Sequence, residues 1–505
     1  MNLNSFIDKI SDERGSDIAM YFPGADVSYA KFLEAVRRLA RGLTDSGVEK
    51  GDRVAVMLPN LPQFPIAYYA ILRIGAVVVP VNMMYKGREV GWLLEDSEAK
   101  ILIAWGGLWS EIERHVSVID SVKKVILLGQ EFPGTTESLT AIMAKSNPLS
   151  EIVDTERDDP AIIQYTAGVT GTPKGAELTH YNIFTNLKAC QEMTKTTPKD
   201  VLLTAMPFFH PVGQTLLMNL ALCSGAALNI VPRFDPETIV KEFEDGRCTL
   251  FIGVPSMYKL LLNQAEPLPE DVESSDTKIR LSICGGGAIN DDLLKEFEKR
   301  FGTYILECYT MSETSPVTSF NQWRTGRRVG SLGHPIPGVE MKIVNEKGVE
   351  ASIGEVGEII IKGENVMRRY INRPNITAEV LRDGWYHTRD LGKMDINGFF
   401  YLVDRLGDRI IKGGFSIYPT EIEDILYGHP DVKEAAVIGV EDEIMGEEVK
   451  ACVVLKDGSE ATTEQLSEYC KERMALYKVP AVIRFFKDLP HTAGGKIDKA
   501  ELKNY

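Results

Sequence analysis

The sequence predicts an α/β protein with a large N-terminal domain of doubly wound sheets and a small α+β domain at its C-terminus. The 505 residues exceed what one ordinary hydrophobic core holds, so two or more domains are expected. In the N-terminal part, short runs rich in valine and isoleucine alternate with helical patterns, which is typical of a parallel sheet covered on both faces. The C-terminal part has a different pattern of short helices and strands, which indicates a separate compact unit.

The N-terminal part is predicted to alternate between helices and strands. Ser28 can cap a helix that ends near Gly47, and a second helix is expected over about 62–74. Buried strands are predicted over 54–58, 76–79, 101–104 and 125–128. No pattern in this region points to catalysis, so we interpret it as scaffold.

Composition excludes several classes of function. The net charge of −16 argues against nucleic acid or an anionic membrane as the main partner. Seven scattered cysteines without a Cys-x-x-Cys pair argue against zinc and against a disulfide framework, and they fit a reduced, cytoplasmic location. Residues 1–15 lack the apolar core of a signal peptide. The apolar stretch 213–231 is interrupted by polar residues and glycine, so a core helix followed by a strand explains it better than a membrane span.

The stretch 165–175, Tyr-Thr-Ala-Gly-Val-Thr-Gly-Thr-Pro-Lys-Gly, follows the apolar run 161–163. Its glycines let backbone N–H groups approach an anion, and its threonines and lysine add donors and a positive charge. The pattern predicts a phosphate-binding loop at the end of a buried strand. It differs from the P-loop because no Gly-Lys is followed by Ser or Thr at the required spacing. An ordinary surface turn is the alternative.

Further along the chain, six short segments carry polar, aromatic or glycine residues in patterns that can form a site. The segment 206–213 places His210 between aromatic residues and a glycine, although a packed core histidine is the simpler interpretation. The strand 281–284 ends in three glycines, which leave an open crevice at the carboxyl end of a sheet or form a tight turn. The other four segments are 309–313, 388–390, 404–414 and 491–497, the last of which contains a Gly-Gly-Lys near the C-terminus.

These segments resemble, in order, the motifs of the adenylate-forming superfamily, which includes acyl- and aryl-CoA synthetases, luciferases and the adenylation domains of peptide synthetases. The family usually reads Tyr-Thr-Ser-Gly-Thr-Thr-Gly-x-Pro-Lys-Gly at the loop, where this chain has Ala167 and Val169 in place of two hydroxyl residues. The chain also departs at Thr310, Arg389 and Gly407. The resemblance spans roughly 161–496 and is closest to fatty-acyl-CoA synthetases.

The resemblance implies a fold, with a barrel-like subdomain in the large domain (1–404) and a mobile C-terminal domain (405–505) on a hinge. It also implies site residues. Those implied to bind ATP or AMP are Thr166, Ala167, Gly168, Val169, Thr170, Gly171, Lys174, Gly286, Gly287, Ala288, Glu307, Cys308, Tyr309, Ser312, Asp390 and Arg405. The implied catalytic residues are Lys496, His210 and Glu313, with Glu313 and, more weakly, Thr170 as ligands of Mg²⁺.

The remaining implied residues concern the acyl group and the acceptor. The acyl pocket is predicted from Phe209, Val212, Val254, Met257 and Gly285, and the apolar Phe208 and Met218 add to it. Gly413 and Gly414 are implied to form a narrow backbone site beside the pantetheine arm of coenzyme A. Arg389 is expected to place a cation beside the carboxylate of Asp390.

The implied reaction joins a carboxylic acid to coenzyme A through an acyl-adenylate, with ATP and Mg²⁺. An apolar pocket favours a medium- or long-chain fatty acid, and an aryl acid is the second choice. A carrier-protein-directed adenylation enzyme is a further alternative, which the absence of a carrier domain before Tyr505 disfavours. A degenerate sensor of nucleotide or acyl ligand is the alternative from another class. The expected partners are small molecules, with a homodimer as a family-level expectation.

Overall fold

The computed structural model describes residues 2–130, 132, 136–166, 173–265, 277–286, 289, 291–322, 326–345, 347–405, 410–417, 419–490, 497 and 499–505. The helices there are α1 Asn4–Arg14, α2 Tyr29–Asp45, α3 Gln63–Arg73, α4 Gly87–Ser97, α5 Trp109–Val116, α6 Leu139–Lys145, α7 His180–Thr194, α8 Leu220–Ser224, α9 Pro236–Glu244, α10 Pro255–Gln264, α11 Asp291–Phe301, α12 Pro374–Val380, α13 Pro419–Tyr427, α14 Thr463–Lys471 and α15 Lys499–Leu502. A π-helical stretch, Gly213–Asn219, leads into α8.

The strands complete the element order. They are β1 Ile18–Tyr21, β2 Val27–Ser28, β3 Arg53–Met57, β4 Val77–Pro80, β5 Ile101–Trp105, β6 Lys124–Leu128, β7 Glu137–Ser138, β8 Pro160–Thr166, β9 Lys174–Thr179, β10 Val201–Thr204, β11 Ala227–Ile230, β12 Leu250–Gly253, β13 Leu281–Gly285, β14 Ile305–Thr310, β15 Val317–Phe320, β16 His334–Pro335, β17 Val339–Val344, β18 Gly357–Gly363, β19 Arg369–Tyr370, β20 Leu381–Arg382, β21 Trp385–Met394, β22 Phe400–Arg405, β23 Ile410–Lys412, β24 Phe415–Ile417, β25 Val432–Asp442, β26 Gly446–Leu455 and β27 Val482–Phe485.

Two large sheets form the core of the N-terminal part. One has eight strands in the order β19-β9-β8-β4-β3-β5-β6-β7, and the other has nine in the order β16-β15-β14-β13-β12-β10-β11-β1-β2. Most of their inner strands pair in parallel, which requires crossover helices on the sheet faces. Such strands are buried on both sides, and this explains their continuous runs of valine, leucine and isoleucine.

Two smaller sheets complete the architecture. The strands β17, β18, β20, β21 and β22 pair antiparallel in a five-stranded sheet, which occupies the place of the predicted barrel-like subdomain. The C-terminal part forms a separate five-stranded sheet from β23 to β27. Its helices α13 and α14 pack on this sheet around a core that includes Ile422, Leu426 and Leu466. The predicted α/β class with a large N-terminal and a small C-terminal domain is therefore confirmed, while the border between 404 and 405 stays a prediction.

Several local predictions are also confirmed. Ser28 caps α2 by accepting a hydrogen bond from the backbone N–H of Lys31. Thr179 caps α7 by accepting a hydrogen bond from the backbone N–H of Asn182. The apolar stretch 213–231 forms buried helix and then strand β11. No helix in the described part of the chain combines the length and the apolarity that crossing a membrane requires.

Candidate active site

A cavity of about 550 Å³ opens at the carboxyl ends of the parallel strands β12, β13 and β14. The end of β8 and the middle of β21 form another wall, and the hairpin between β23 and β24 closes the cavity from the C-terminal part. Crevices at the carboxyl ends of parallel strands are the usual ligand sites of α/β proteins. The volume lies within the range of about 300–1,000 Å³ that is common for small-molecule sites.

The cavity brings together most of the predicted site residues that the structure describes. Those lining it are Thr166, Phe209, His210, Val212, Val254, Gly285, Gly286, Glu307, Cys308, Tyr309, Ser312, Glu313, Asp390 and Gly414. Lys174, Met257 and Gly413 are described but do not line it. Ala167, Gly168, Val169, Thr170, Gly171, Gly287, Ala288, Gly407 and Lys496 lie outside the described residues, and for Arg405 only the backbone is described.

Glu313 is a buried carboxylate held in a fixed orientation. Tyr370 donates a hydrogen bond of 2.6 Å to its Oε1, and the Thr166 hydroxyl donates one of 3.4 Å to the same atom. Burial, together with the Glu313 charge, raises the pKa of Tyr370 well above its usual range, so this hydroxyl stays a donor. The Nζ atom of Lys174 lies 5.3 Å from the centre of the Tyr370 ring. The predicted loop residues on both sides of the undescribed segment are thereby joined to Glu313.

These contacts can be compared with what a magnesium ion requires. Mg²⁺ is usually held by one or two carboxylates together with water and substrate phosphates. Within the described residues there is no cluster of three or more His, Cys, Asp or Glu side chains that would form an all-protein metal cage. A single buried carboxylate at Glu313, beside the Thr166 hydroxyl, fits a metal that is bound mainly through phosphates.

Tyr309 and Asp390 form a second buried pair in the cavity. The Tyr309 hydroxyl donates a hydrogen bond to Asp390 Oδ2, which joins the end of β14 to β21. The expectation that Arg389 places its cation beside Asp390 is wrong, because Arg389 makes its ion pair with Glu379. Neighbouring residues of a strand point to opposite faces, so the two side chains diverge. The φ of Arg389 is +62°, a conformation that suits the glycine usual at this position.

The segment that carries His210 is held in place by side chains from elsewhere in the fold. Asn60 accepts a hydrogen bond from the Phe208 N–H at 2.8 Å and donates one to the Met206 carbonyl at 3.0 Å. Gln214 donates to the Phe209 carbonyl at 3.2 Å. A Cβ at Gly213 would lie 2.1 Å from the Pro207 carbonyl oxygen, so only glycine allows this tight turn.

His210 is a neutral imidazole at physiological pH. Removal from bulk water lowers its pKa to about 4, because burial penalises the charged form. Its Nδ1 accepts a hydrogen bond from the Val212 N–H at 3.3 Å, which assigns the ring proton to Nε2. The ring is partly accessible from the cavity that it lines. The Nε2–H can therefore donate a hydrogen bond to a ligand oxygen while the ring stays uncharged.

Glu307 is the one acid in the cavity for which a strongly raised pKa is resolved among the described residues. Burial raises the pKa of its carboxyl to about 7, and the Gly330 N–H, which donates to it at 3.0 Å, opposes that rise. The residue stands one position before Cys308 on β14 and lines the cavity. Its carboxyl ties this strand to the loop before β16 and so fixes one wall of the cavity.

Fewer of the predicted apolar residues line the cavity than the sequence indicated. Phe209, Val212 and Val254 line the cavity, but Phe208 is fully buried, with its ring centre 5.5 Å from that of Phe64. Met218 is also fully buried in the core, inside the π-helical stretch. The apolar character of Phe208 and Met218 therefore reflects packing in the core and not contact with a ligand.

Glycine at 285 opens the crevice between the apolar side and the strands. A Cβ there would lie 2.9 Å from the Cys308 sulfur and 3.9 Å from Thr310 Cγ2. Thr310 also lines the cavity.

The hairpin between β23 and β24 reaches the cavity through Gly414. A Cβ at Gly414, whose φ is +83°, would lie 2.5 Å from Val254 Cγ1. A second cavity of about 610 Å³ lies on the other side of this contact, and both cavities share Gly286, Ile411, Gly414 and Glu447 in their linings. The glycine hairpin thus lies between the two cavities, of which the second is lined by residues of α10 and α11.

Some residues of the site could not be found from sequence patterns. Tyr370 orients Glu313, and Asn60 shapes the His210 segment, yet both stand in stretches without a motif. Tyr85 and Tyr477 line the cavity from opposite parts of the chain. An isolated tyrosine in a helix-rich region gives no signal of this kind, because the contact depends on tertiary packing.

Comparisons with known proteins agree with this geometry. The profile of the AMP-binding enzyme family matches residues 7–371, and that of the AMP-binding enzyme C-terminal domain matches residues 421–496. A long-chain-fatty-acid–CoA ligase of Bacillus subtilis (strain 168) is 38% identical, over 96% of this chain and 91% of its own length.

Two further relatives extend the range of acids. A feruloyl-CoA synthase of Amycolatopsis is 36% identical, over 95% of this chain and 94% of its own length. The structure of an o-succinylbenzoate CoA synthetase double mutant from Bacillus subtilis, bound with its product analogue OSB-NCoA, superposes with a TM-score of 0.87 at 29% identity, over 99% of this chain and 98% of the other.

Proposed function

The chain belongs to the AMP-binding enzyme family of adenylate-forming acyl- and aryl-CoA ligases, and from that premise we propose that it activates a medium- or long-chain fatty acid with ATP and transfers the acyl group to coenzyme A. The observation that carries this proposal is the cavity itself. It unites a nucleotide side around Tyr309 and Asp390, an apolar side around Phe209 and Val254, and the glycine hairpin.

The nucleotide side offers groups that match the parts of ATP. The face of Tyr309 can stack on adenine, and Asp390 can accept hydrogen bonds from ribose hydroxyls. Glu313 would bind Mg²⁺ together with the phosphates, and the ion when bound would neutralise charge on the phosphoryl oxygens. Thr166, the last residue of β8, donates a hydrogen bond to Glu313, which supports a role of Thr166 and the following sequence 167–172 in holding the β- and γ-phosphates.

In the first half-reaction, a carboxylate oxygen of the acid attacks the α-phosphorus of ATP. The bond between that phosphorus and the bridging oxygen breaks, and pyrophosphate leaves. Negative charge grows on the α-phosphoryl oxygens, where Lys496 is proposed to stabilise it. His210 holds the carboxylate through its Nε2–H, and it takes no proton because the acid is already ionised at neutral pH.

In the second half-reaction, the thiol sulfur of coenzyme A attacks the acyl carbon, the bond to the phosphate oxygen breaks and AMP leaves, while the thiol proton passes to solvent. The hairpin with Gly413 and Gly414 is proposed to flank the pantetheine arm. Its place between the two cavities supports this role, since the acceptor would approach through the second cavity. The small domain would turn about the hinge near Gly407 between the two half-reactions.

The apolar lining supports a fatty acid as the first choice of substrate. The second candidate is an aryl acid, which the likeness to a feruloyl-CoA synthase over nearly the whole chain favours. Both would enter beside Phe209 and Val254, and the two differ only in the shape that the apolar side must accept.

The test is an assay of purified protein with ATP, Mg²⁺, coenzyme A and acids from acetate to palmitate, together with benzoate, cinnamate and ferulate. Mass spectrometry would report every acyl-CoA and the AMP formed. We expect one group of fatty acyl-CoA products to dominate. Formation of aryl-CoA alone would select the second candidate, AMP without thioester would point to a carrier-protein acceptor, and nucleotide binding without turnover would support a sensor.

A variant separates the two half-reactions. Lys496→Ala is expected to abolish adenylate formation, because it removes the charge that stabilises the α-phosphoryl oxygens. The same variant should still form acyl-CoA from a supplied acyl-adenylate, which can be followed by release of AMP. Equal loss of both steps would contradict the proposed role of Lys496.

A further inference from the structure

A fully buried lysine joins the two parts of the chain beside the active site. The side chain of Lys478 is 1% exposed, and its Nζ lies 2.9 Å from Glu89 Oε1 and 2.6 Å from Glu421 Oε1. Glu89 belongs to α4 in the N-terminal part, whereas Glu421 belongs to α13 and moves with Lys478. The ammonium thus has one partner on each side of the boundary between the parts.

Two tyrosines enclose this ammonium. The Lys478 Nζ lies 4.8 Å from the centre of the Tyr85 ring and 5.8 Å from that of Tyr477. Tyr85 again belongs to the N-terminal part and Tyr477 to the C-terminal part. The attraction of the ammonium to two carboxylates and two aromatic rings offsets the free-energy cost of removing it from water.

The same cluster is connected to the glycine hairpin. The ring of Tyr477 packs on that of Phe415 with 4.5 Å between centres, and Phe415 directly follows Gly414. The Asn82 side chain lies 3.5 Å from the Tyr477 hydroxyl. Asn82, Tyr477 and Phe415 all line the active-site cavity. The position of the lysine is therefore linked through two aromatic rings to the position of the hairpin.

We propose that Lys478 and Glu89 form a conformational latch that holds the C-terminal part in the arrangement in which the glycine hairpin closes the cavity, and that they are positioning residues for acyl transfer to the thiol. This inference rests on the proposed function with its two half-reactions. When the C-terminal part turns away, Lys478 keeps Glu421 and loses Glu89 and Tyr85. The latch thus favours one arrangement only, because its differential contacts exist only there.

Glu89 is the better of the two carboxylates to substitute in a test of the latch. Glu89 accepts a hydrogen bond from the Lys86 N–H through Oε2, which completes the cap of α4, and uses Oε1 for Lys478. Glutamine at this position keeps an oxygen for the cap and removes the charge. Glu89→Gln therefore weakens the latch without removing the helix cap.

The test compares Glu89→Gln and Lys478→Met with Glu468→Gln, a control that removes an exposed pair with Lys471 inside the C-terminal part. One assay follows pyrophosphate exchange into ATP with the preferred acid, and the other follows acyl-CoA formation from the matching acyl-adenylate in a single turnover. We expect acyl transfer to fall roughly 5- to 150-fold in both latch variants, a typical size for coupling between states, while pyrophosphate exchange and the control stay unchanged.

Hydrogen–deuterium exchange provides a readout that does not depend on activity. Peptides covering 82–90 and 413–417 should exchange faster in Glu89→Gln than in wild type or the control, because both segments lose the contact that closes them. Unchanged exchange there, or an equal loss of both half-reactions with a lower melting temperature, would overturn the latch. A wild-type protein inactive in both half-reactions would instead overturn the proposed function, and the exchange experiment would still decide the latch.

Discussion

The carboxyl of Glu307 makes a measurable prediction about stability and pH. In the folded protein its pKa is about 7 instead of the ordinary 4.5, mainly because burial penalises the charged form. Above pH 7 the ionised carboxylate therefore costs the folded state about 3 kcal/mol relative to a neutral group of the same shape. Below pH 4.5 the carboxyl is protonated in both the folded and the unfolded states, and the cost disappears.

The direction follows from proton binding. Between pH 4.5 and 7 the folded state binds more protons at Glu307 than the unfolded state does, so this residue makes the free energy of unfolding fall as pH rises. Glu307→Gln cannot ionise and keeps an oxygen that can accept from the Gly330 N–H. The stability of this variant relative to wild type should therefore rise by about 3 kcal/mol between pH 4.5 and pH 8.

Urea unfolding followed by tryptophan fluorescence would measure this difference. All five tryptophans precede residue 404, so the signal reports the part of the chain that contains Glu307. The exposed Glu340→Gln serves as the matched control, since it removes a carboxylate without changing the cavity. A difference between Glu307→Gln and wild type that stays constant from pH 4.5 to pH 8 would refute the reasoning.

Three further outcomes are expected. Gly414→Ala should slow acyl transfer from a supplied adenylate about tenfold or more and leave pyrophosphate exchange unchanged. The reason is that its Cβ would lie 2.5 Å from Val254, in a left-handed conformation that costs about 1–2 kcal/mol. Adding Val254→Ala should restore part of the rate, and an unchanged rate of acyl transfer in Gly414→Ala would contradict the role of the hairpin. Arg389→Gly should leave the melting temperature equal or higher. Glycine removes the backbone strain at a φ of +62°, and this offsets the loss of the exposed ion pair with Glu379, which is worth less than about 1 kcal/mol. A clear drop of the melting temperature in a thermal scan would contradict this reasoning. His210 should ionise only near pH 4, so the plot of kcat/KM against pH should have the same shape between pH 6 and 8 in wild type and in His210→Gln. An inflection that appears only in wild type would show that the imidazole titrates in that range and would contradict the prediction.

The sequence alone determined the class of the fold and the order of the site segments. Buried strands of valine and isoleucine and the spacing of helical faces are local signals, and they predicted β3 to β6 and the cap of α2 correctly. Glycines at the ends of strands, such as Gly285 and Gly286 at the end of β13, also carry a local signal, because the backbone must be accessible there. The resemblance to the adenylate-forming superfamily implied that residues as distant as Phe209 and Asp390 share one site, and both line the cavity.

Only the tertiary structure decided which side chains face that site. Phe208 and Phe209 are neighbours with the same chemistry, yet one packs on Phe64 in the core and the other lines the cavity. Arg389 and Asp390 diverge because they occupy opposite faces of β21. The contact of Lys478 with Glu89 joins positions that are 389 residues apart in the chain. Such pairings depend on how sheets and domains pack together, and a short stretch of sequence carries no trace of its distant partner.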